Sequence, residues 1–84
     1  MKESIKQMMI TTKGYASFRK YTEDLPAEGS LELPEGTPVS GLMKRLGIPI
    51  GIKKIILVNG RHRSEDHVLL SGDTVVFFPP LEGG

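Results

Sequence analysis

Eighty-four residues leave room for one small domain, and a chain this short buries only about 60–65% of its unfolded surface. Eleven Lys and Arg against ten Asp and Glu give a net charge of +1, which excludes a generally basic nucleic-acid binder or an acidic tail protein. The absence of cysteine excludes disulfides, thiolate metal sites and a cysteine nucleophile and suits a cytoplasmic location, and no apolar run exceeds four residues (Ile55–Val58 and Val75–Phe78), too few to span a bilayer.

Met1–Lys6 lacks the apolar stretch of a signal peptide. Lys6–Thr12, rich in Met, Ile and Thr, predicts a first strand, which Gly14 should break. Tyr15, Phe18 and Tyr21 then recur at i, i+3 and i+6, as in a short helical turn or an irregular loop. Thr22–Gly29 is acidic, carries Pro26 and reads as a surface loop. Ser30–Leu33 alternates polar and apolar residues and predicts a second strand.

The helix signal is the clearest in the chain. Thr37 is expected as N-cap and Pro38 as the first helical residue, where its missing N–H costs nothing. Val39, Leu42, Met43 and Leu46 form one apolar stripe. Gly47 can take the left-handed residue after the helix, and Pro49 prevents continuation. Gly41 costs about 1 kcal/mol relative to alanine inside a helix, and a close helix–sheet contact would account for it.

Lys54–Val58 predicts a strand buried on both faces, or nearly so. Asn59-Gly60 predicts a type I′ hairpin turn into a short, charged edge strand, Arg61–Arg63. Ser64–Ser71 is a connection, Gly72-Asp73 a turn, and Thr74–Phe78 the last strand. That strand is apolar on both parities, and one helix covers only one face of a four- or five-stranded sheet. Either Val76 and Phe78 or Val75 and Phe77 should therefore lie on an uncovered face, available for contact unless Tyr15–Tyr21 folds over it.

After Phe78 the sequence reads Pro79-Pro80-Leu81-Glu82-Gly83-Gly84. The prolines favour an extended backbone, and six such residues reach up to roughly 20 Å. Gly83 and Gly84 lack Cβ atoms and can thread a narrow channel. A free carboxylate is a poor electrophile, but as an acyl-adenylate it becomes a good one, and sulfide can then replace the nucleotide. Residues 1–78 are thus expected as the folded domain and 79–84 as a flexible tail.

The order of elements is similar to that of the β-grasp, ubiquitin-like fold. The whole chain resembles the bacterial and archaeal sulfur-carrier family: the small subunit of molybdopterin synthase and the thiamine-pathway sulfur carrier. The matching pieces are Ser17-Phe18-Arg19-Lys20-Tyr21, Leu33-Pro34-Glu35-Gly36-Thr37, Val58-Asn59-Gly60, Gly72-Asp73 and Phe77-Phe78-Pro79-Pro80-Leu81-Glu82-Gly83-Gly84. The last of these looks more like the molybdopterin side than the thiamine side. The resemblance implies an α+β fold with a mixed four- to five-stranded sheet and one main helix on one face. It implies a carrier rather than an enzyme, monomeric when free, with no bound cofactor. Gly84 would be adenylated by a ubiquitin-activating-type enzyme that uses ATP, then converted to a thiocarboxylate. Leu81, Glu82 and Gly83 would enter the active site of a partner, the molybdopterin synthase large subunit or a thiazole synthase. Phe78 matches the family's docking position, with Val76, Pro79 and Pro80 beside it. The Met-rich start, Met8-Met9-Ile10, departs from the usual first strand and leaves open another sulfur acceptor.

Other features read more plainly. Residues 43–64 sum to +6 through Lys44, Arg45, Lys53, Lys54, Arg61 and Arg63, with His62 among them. This block is a solvated face or a dock for an acidic partner or phosphate. His62 and His67 lack a third metal ligand. Asp73 reads as a turn residue, and Ser40, Ser64 and Ser71 have no evident triad. A ubiquitin-like protein modifier and a small RNA-binding module are the alternatives to a sulfur carrier. The near-even charge, and the lack of aromatics within the basic block, disfavour RNA.

Overall fold

In the computed structural model, which describes residues 6–49 and 51–80, strand β1 (Gln7–Gly14) alternates strictly. Met8, Ile10 and Thr12 point into the protein, and Gln7, Met9 and Lys13 point out. The Met-rich start thus makes a regular strand. Gly14 ends it from within rather than breaking it. A Cβ there would stand 2.2 Å from the Phe18 carbonyl oxygen, so only glycine allows the following segment to fold back this tightly. That segment is a 3-10 turn, Ala16–Tyr21, which buries Phe18. Thr22 Oγ1 pins it by accepting the Gly14 N–H at 3.0 Å.

A loop containing a short 3-10 turn, Ala27–Gly29, leads to β2 (Ser30–Pro34). Helix α1 spans Val39–Leu46, turns Val39, Leu42 and Met43 into the core, and ends on Gly47 at φ +82°. Pro38, not Thr37, occupies the N-cap position, and no side chain caps the helix. Thr37 Oγ1 instead donates to the Pro34 carbonyl at 2.6 Å. The free N–H groups of the first turn are met by tertiary partners: Val39 N–H donates to the His67 carbonyl and Ser40 N–H to the Glu65 carbonyl, both at 2.9 Å. The capping requirement is satisfied by the 64–69 connection, which local sequence could not reveal. Gly41 also departs from expectation. A Cβ there would meet the Thr37 methyl at 2.7 Å, so the close contact is with the helix's own entry rather than the sheet.

Strands β3 (Ile55–Val58) and β4 (Arg61–His62) form the expected hairpin, with Asn59 at φ +52° and Gly60 at φ +85°. Strand β5 (Thr74–Phe78) completes a mixed five-stranded sheet of order β2-β1-β5-β3-β4, parallel to β1 and antiparallel to β3. Register assembles the core: Ile10 lies opposite Leu31, Thr12 opposite Val75, and Phe77 opposite both Gly14 and Ile56. These residues share the face covered by α1 and Phe18. Ile56 and Val58 are buried, but Ile55 and Leu57 are only half-buried, so β3 is not buried on both faces. A single short helix is too small to cover both. The arrangement is the β-grasp.

Candidate functional site

The uncovered face is built around β5. Pleating turns Val75 and Phe77 into the core, completely buried, and therefore sends Val76 and Phe78 to the opposite side. Both are half-buried. Register sets Leu57 beside Val76 and Ile55 beside Phe78, making an aliphatic and aromatic strip across two strands. Lys13 borders it on β1, opposite Val76. His62 borders it on β4, opposite Leu57.

Tyr15 completes the strip. Its ring stacks on Phe78 with centroids 5.0 Å apart and planes 10° from parallel. Tyr15 N–H donates to the Phe77 carbonyl at 3.0 Å, which fixes where that ring can reach. The Lys13 ammonium lies 5.6 Å from the Tyr15 ring centre. The aromatic segment 15–21 is thus divided between faces. Tyr15 shelters part of the open strip, while Phe18 enters the core against Phe77, 6.2 Å between ring centres.

Of the residues singled out in sequence, Val76, Phe78, Pro79 and Pro80 are brought to one end of the central strand, all half-buried. Leu81, Glu82, Gly83 and Gly84 lie outside the described residues. Sequence left two parities open for the uncovered face, and the structure selects Val76 with Phe78. Ile55 and Leu57 were missed as members of this surface, and of the Tyr15–Tyr21 segment expected as its alternative cover, Tyr15 stacks on Phe78. The available signal was that Ile55–Val58, like Val75–Phe78, has two apolar parities, so pairing the strands must leave one apolar set uncovered.

The basic block is dispersed. Lys44 and Arg45 lie in the last turn of α1, while Arg61 and His62 form β4 and Arg63 follows it. Lys54 is tied down, donating to the Ile52 carbonyl at 3.0 Å and pairing with Glu65. Asp73 acts as a turn residue: its carboxylate accepts Leu70 N–H at 2.8 Å and the Asn59 amide at 2.9 Å. Among the described residues no group of three His, Cys, Asp or Glu gathers as a metal site, and no helix is long and apolar enough to cross a membrane.

The fold has clear counterparts. A Pyrococcus furiosus protein assigned as molybdopterin converting factor, subunit 1, is 29% identical, over 88% of this chain and 99% of its own, with a TM-score of 0.65. The Haloferax volcanii HVO 2177 protein superposes with a TM-score of 0.70 at 21% identity, covering 99% of this chain and 94% of that one. Small archaeal modifier protein 1 of Haloferax volcanii gives 0.67 at 13% identity, covering 88% and 99%. The last two show likeness of fold alone. Among curated proteins none matches the sequence. The model of the ThiS family matches residues 15–84, most of the chain including its Gly-Gly end. With a β-grasp body and a family match over most of its length, the chain belongs to the ThiS family of small ubiquitin-like sulfur carriers.

Proposed function

We propose that this protein carries sulfur as a thiocarboxylate on Gly84 and delivers it in cofactor biosynthesis, with a molybdopterin precursor as the acceptor. One observation carries this reading. Strand β5, paired on both sides, runs from the core directly into Pro79-Pro80, beside the Phe78 strip. A partner gripping the strip would therefore hold the base of the tail, and reach, slimness and the lack of side chains at Gly83-Gly84 suit insertion into its active site.

In the chemistry proposed, a Gly84 carboxylate oxygen attacks the α-phosphorus of ATP on a ubiquitin-activating-type enzyme, and pyrophosphate leaves. A sulfide-level sulfur then attacks the acyl carbon and expels AMP, leaving C-terminal C(=O)S⁻. Phe78, Val76, Pro79 and Pro80 dock, and Leu81, Glu82 and Gly83 thread the partner. The chain supplies the reactive terminus and no catalyst of its own. The likeness to the Pyrococcus furiosus subunit supports the molybdopterin branch, as does the Phe77-Phe78-Pro79-Pro80 approach to the terminus.

The test is reconstitution with an activating enzyme, ATP and a sulfur donor, followed by intact-mass measurement. A gain equal to one oxygen-to-sulfur exchange is expected, and its absence with every cognate enzyme would refute the reading. Higher-mass adducts on lysines of other proteins would make the chain a modifier instead. Deleting Gly83-Gly84 is expected to abolish the mass gain while leaving Tm almost unchanged, because residues beyond a last strand make few buried contacts.

A further inference from the structure

The end of the sheet where β5 begins carries a surface that sulfur transfer does not use. Four large apolar residues are exposed among those described: Met9, Tyr15, Val68 and Leu70. Two of them fall in one short stretch, Val68 at 50% and Leu70 at 68%, on either side of buried Leu69. The Leu70 backbone is pinned. Its N–H donates to the Asp73 carboxylate, and its carbonyl accepts the Asp73 N–H at 3.1 Å. Beside it lies a shallow cleft lined by Val58, Arg61, Arg63 and His67. Arg61 and Arg63 are exposed, and among the described residues neither has a carboxylate within ion-pairing distance. Asp73, the acid in the cleft, is engaged by Asn59 and Leu70.

We infer that this cleft is a second docking surface, for an acidic protein segment that sets an aliphatic side chain against Leu70 and carboxylates against Arg61 and Arg63. An apolar anchor with charged partners at its rim is how short segments gain both affinity and register. A pinned backbone at Leu70 lowers the ordering cost of binding. RNA fits less well. Base stacking is strongest on broad exposed rings; every Tyr and Phe of the chain lies outside the cleft lining, whose one ring is the half-buried His67, while the exposed apolar side chain there, Leu70, is aliphatic. Strand β5 carries the chain roughly 13 Å from Thr74 to Phe78, so the cleft lies at the opposite end of the strand from Phe78, with Arg61 and Arg63 flanking His62 at the border of the strip. The inference goes beyond the carrier reading and stands without it.

The test is titration of ¹⁵N-labelled protein with the peptide acetyl-Glu-Leu-Glu-Glu-Leu-Glu-amide, followed by NMR. Saturable shifts are expected at residues 58–63 and 67–73. Leu70→Ser, and separately Arg61→Ser with Arg63→Ser, should weaken binding about fivefold or more while the spectra stay dispersed. Phe78→Ala should leave the peptide affinity unchanged. The inference is overturned by shifts centred on Tyr15 and Phe78, by the absence of saturable shifts, or by equal binding of the peptide with Lys in place of Glu. Tighter binding of a short oligouridine at the same residues would also overturn it, assigning the cleft to nucleic acid.

Discussion

Phe77 and Phe78 are neighbours in sequence and occupy opposite environments. Phe77 is completely enclosed between Phe18 and the strands on either side. Phe78 is half-buried, sheltered by one stacked ring and otherwise open. The same contrast holds for Ile56 against Ile55 and for Val58 against Leu57 on β3. One helix and one 3-10 turn supply enough apolar surface to close one face of five strands and not two. The helix face therefore holds the fold together, and the open face leaves apolar surface half-exposed.

The sharpest way to break this comparison is to truncate each phenylalanine. Phe77→Ala is expected to cost about 3–5 kcal/mol, as for other enclosed rings. Phe78→Ala should cost no more than about 1.5 kcal/mol, since much of its surface is already wet, while weakening binding to the activating enzyme. Urea denaturation of both, with a binding assay on the second, checks this; equal stability losses would show the faces to be energetically alike.

A smaller effect is expected at the hinge between the faces. Gly14→Ala sets a Cβ 2.2 Å from a backbone oxygen, and the shift needed should cost about 2 kcal/mol. It should also move Tyr15 away from Phe78, visible as altered ring-current shifts in NMR spectra. Unchanged stability would mean that the 15–21 turn can slide freely.

The smallest expected change has the opposite sign. Thr12 is completely buried on the helix face, and its hydroxyl has no hydrogen-bond partner among the described residues. Thr12→Val keeps the shape and removes the unpaired group, so a gain of about 1 kcal/mol is expected by thermal or denaturant unfolding. A loss would indicate that the hydroxyl is satisfied by water, and that this face is less dry than its packing implies.

Much of this architecture could be read along the chain, because it rests on local chemistry. The Asn59-Gly60 turn needs two residues that tolerate positive φ, and it has them. The Val39–Leu46 stripe followed by Gly47 specifies one amphipathic helix and its end. The helix start was misread because its N–H partners are the carbonyls of His67 and Glu65, more than twenty residues away. Tyr15 could be placed only within a segment free to fold over the open face, because its stacking on Phe78 follows from a strand pairing and not from its own spacing.

The sequence by itself determined the elements, the hairpin and the helix stripe, all of which follow from side-chain size, backbone freedom and period. It left two questions open: which parity of β5 faces outward, and which residues join Phe78 there. Tertiary structure decided both through register, which sets Leu57 against Val76 and Ile55 against Phe78. A strand that is apolar on both sides has no preference of its own. Its orientation is set by where helix α1 and Phe18 can pack.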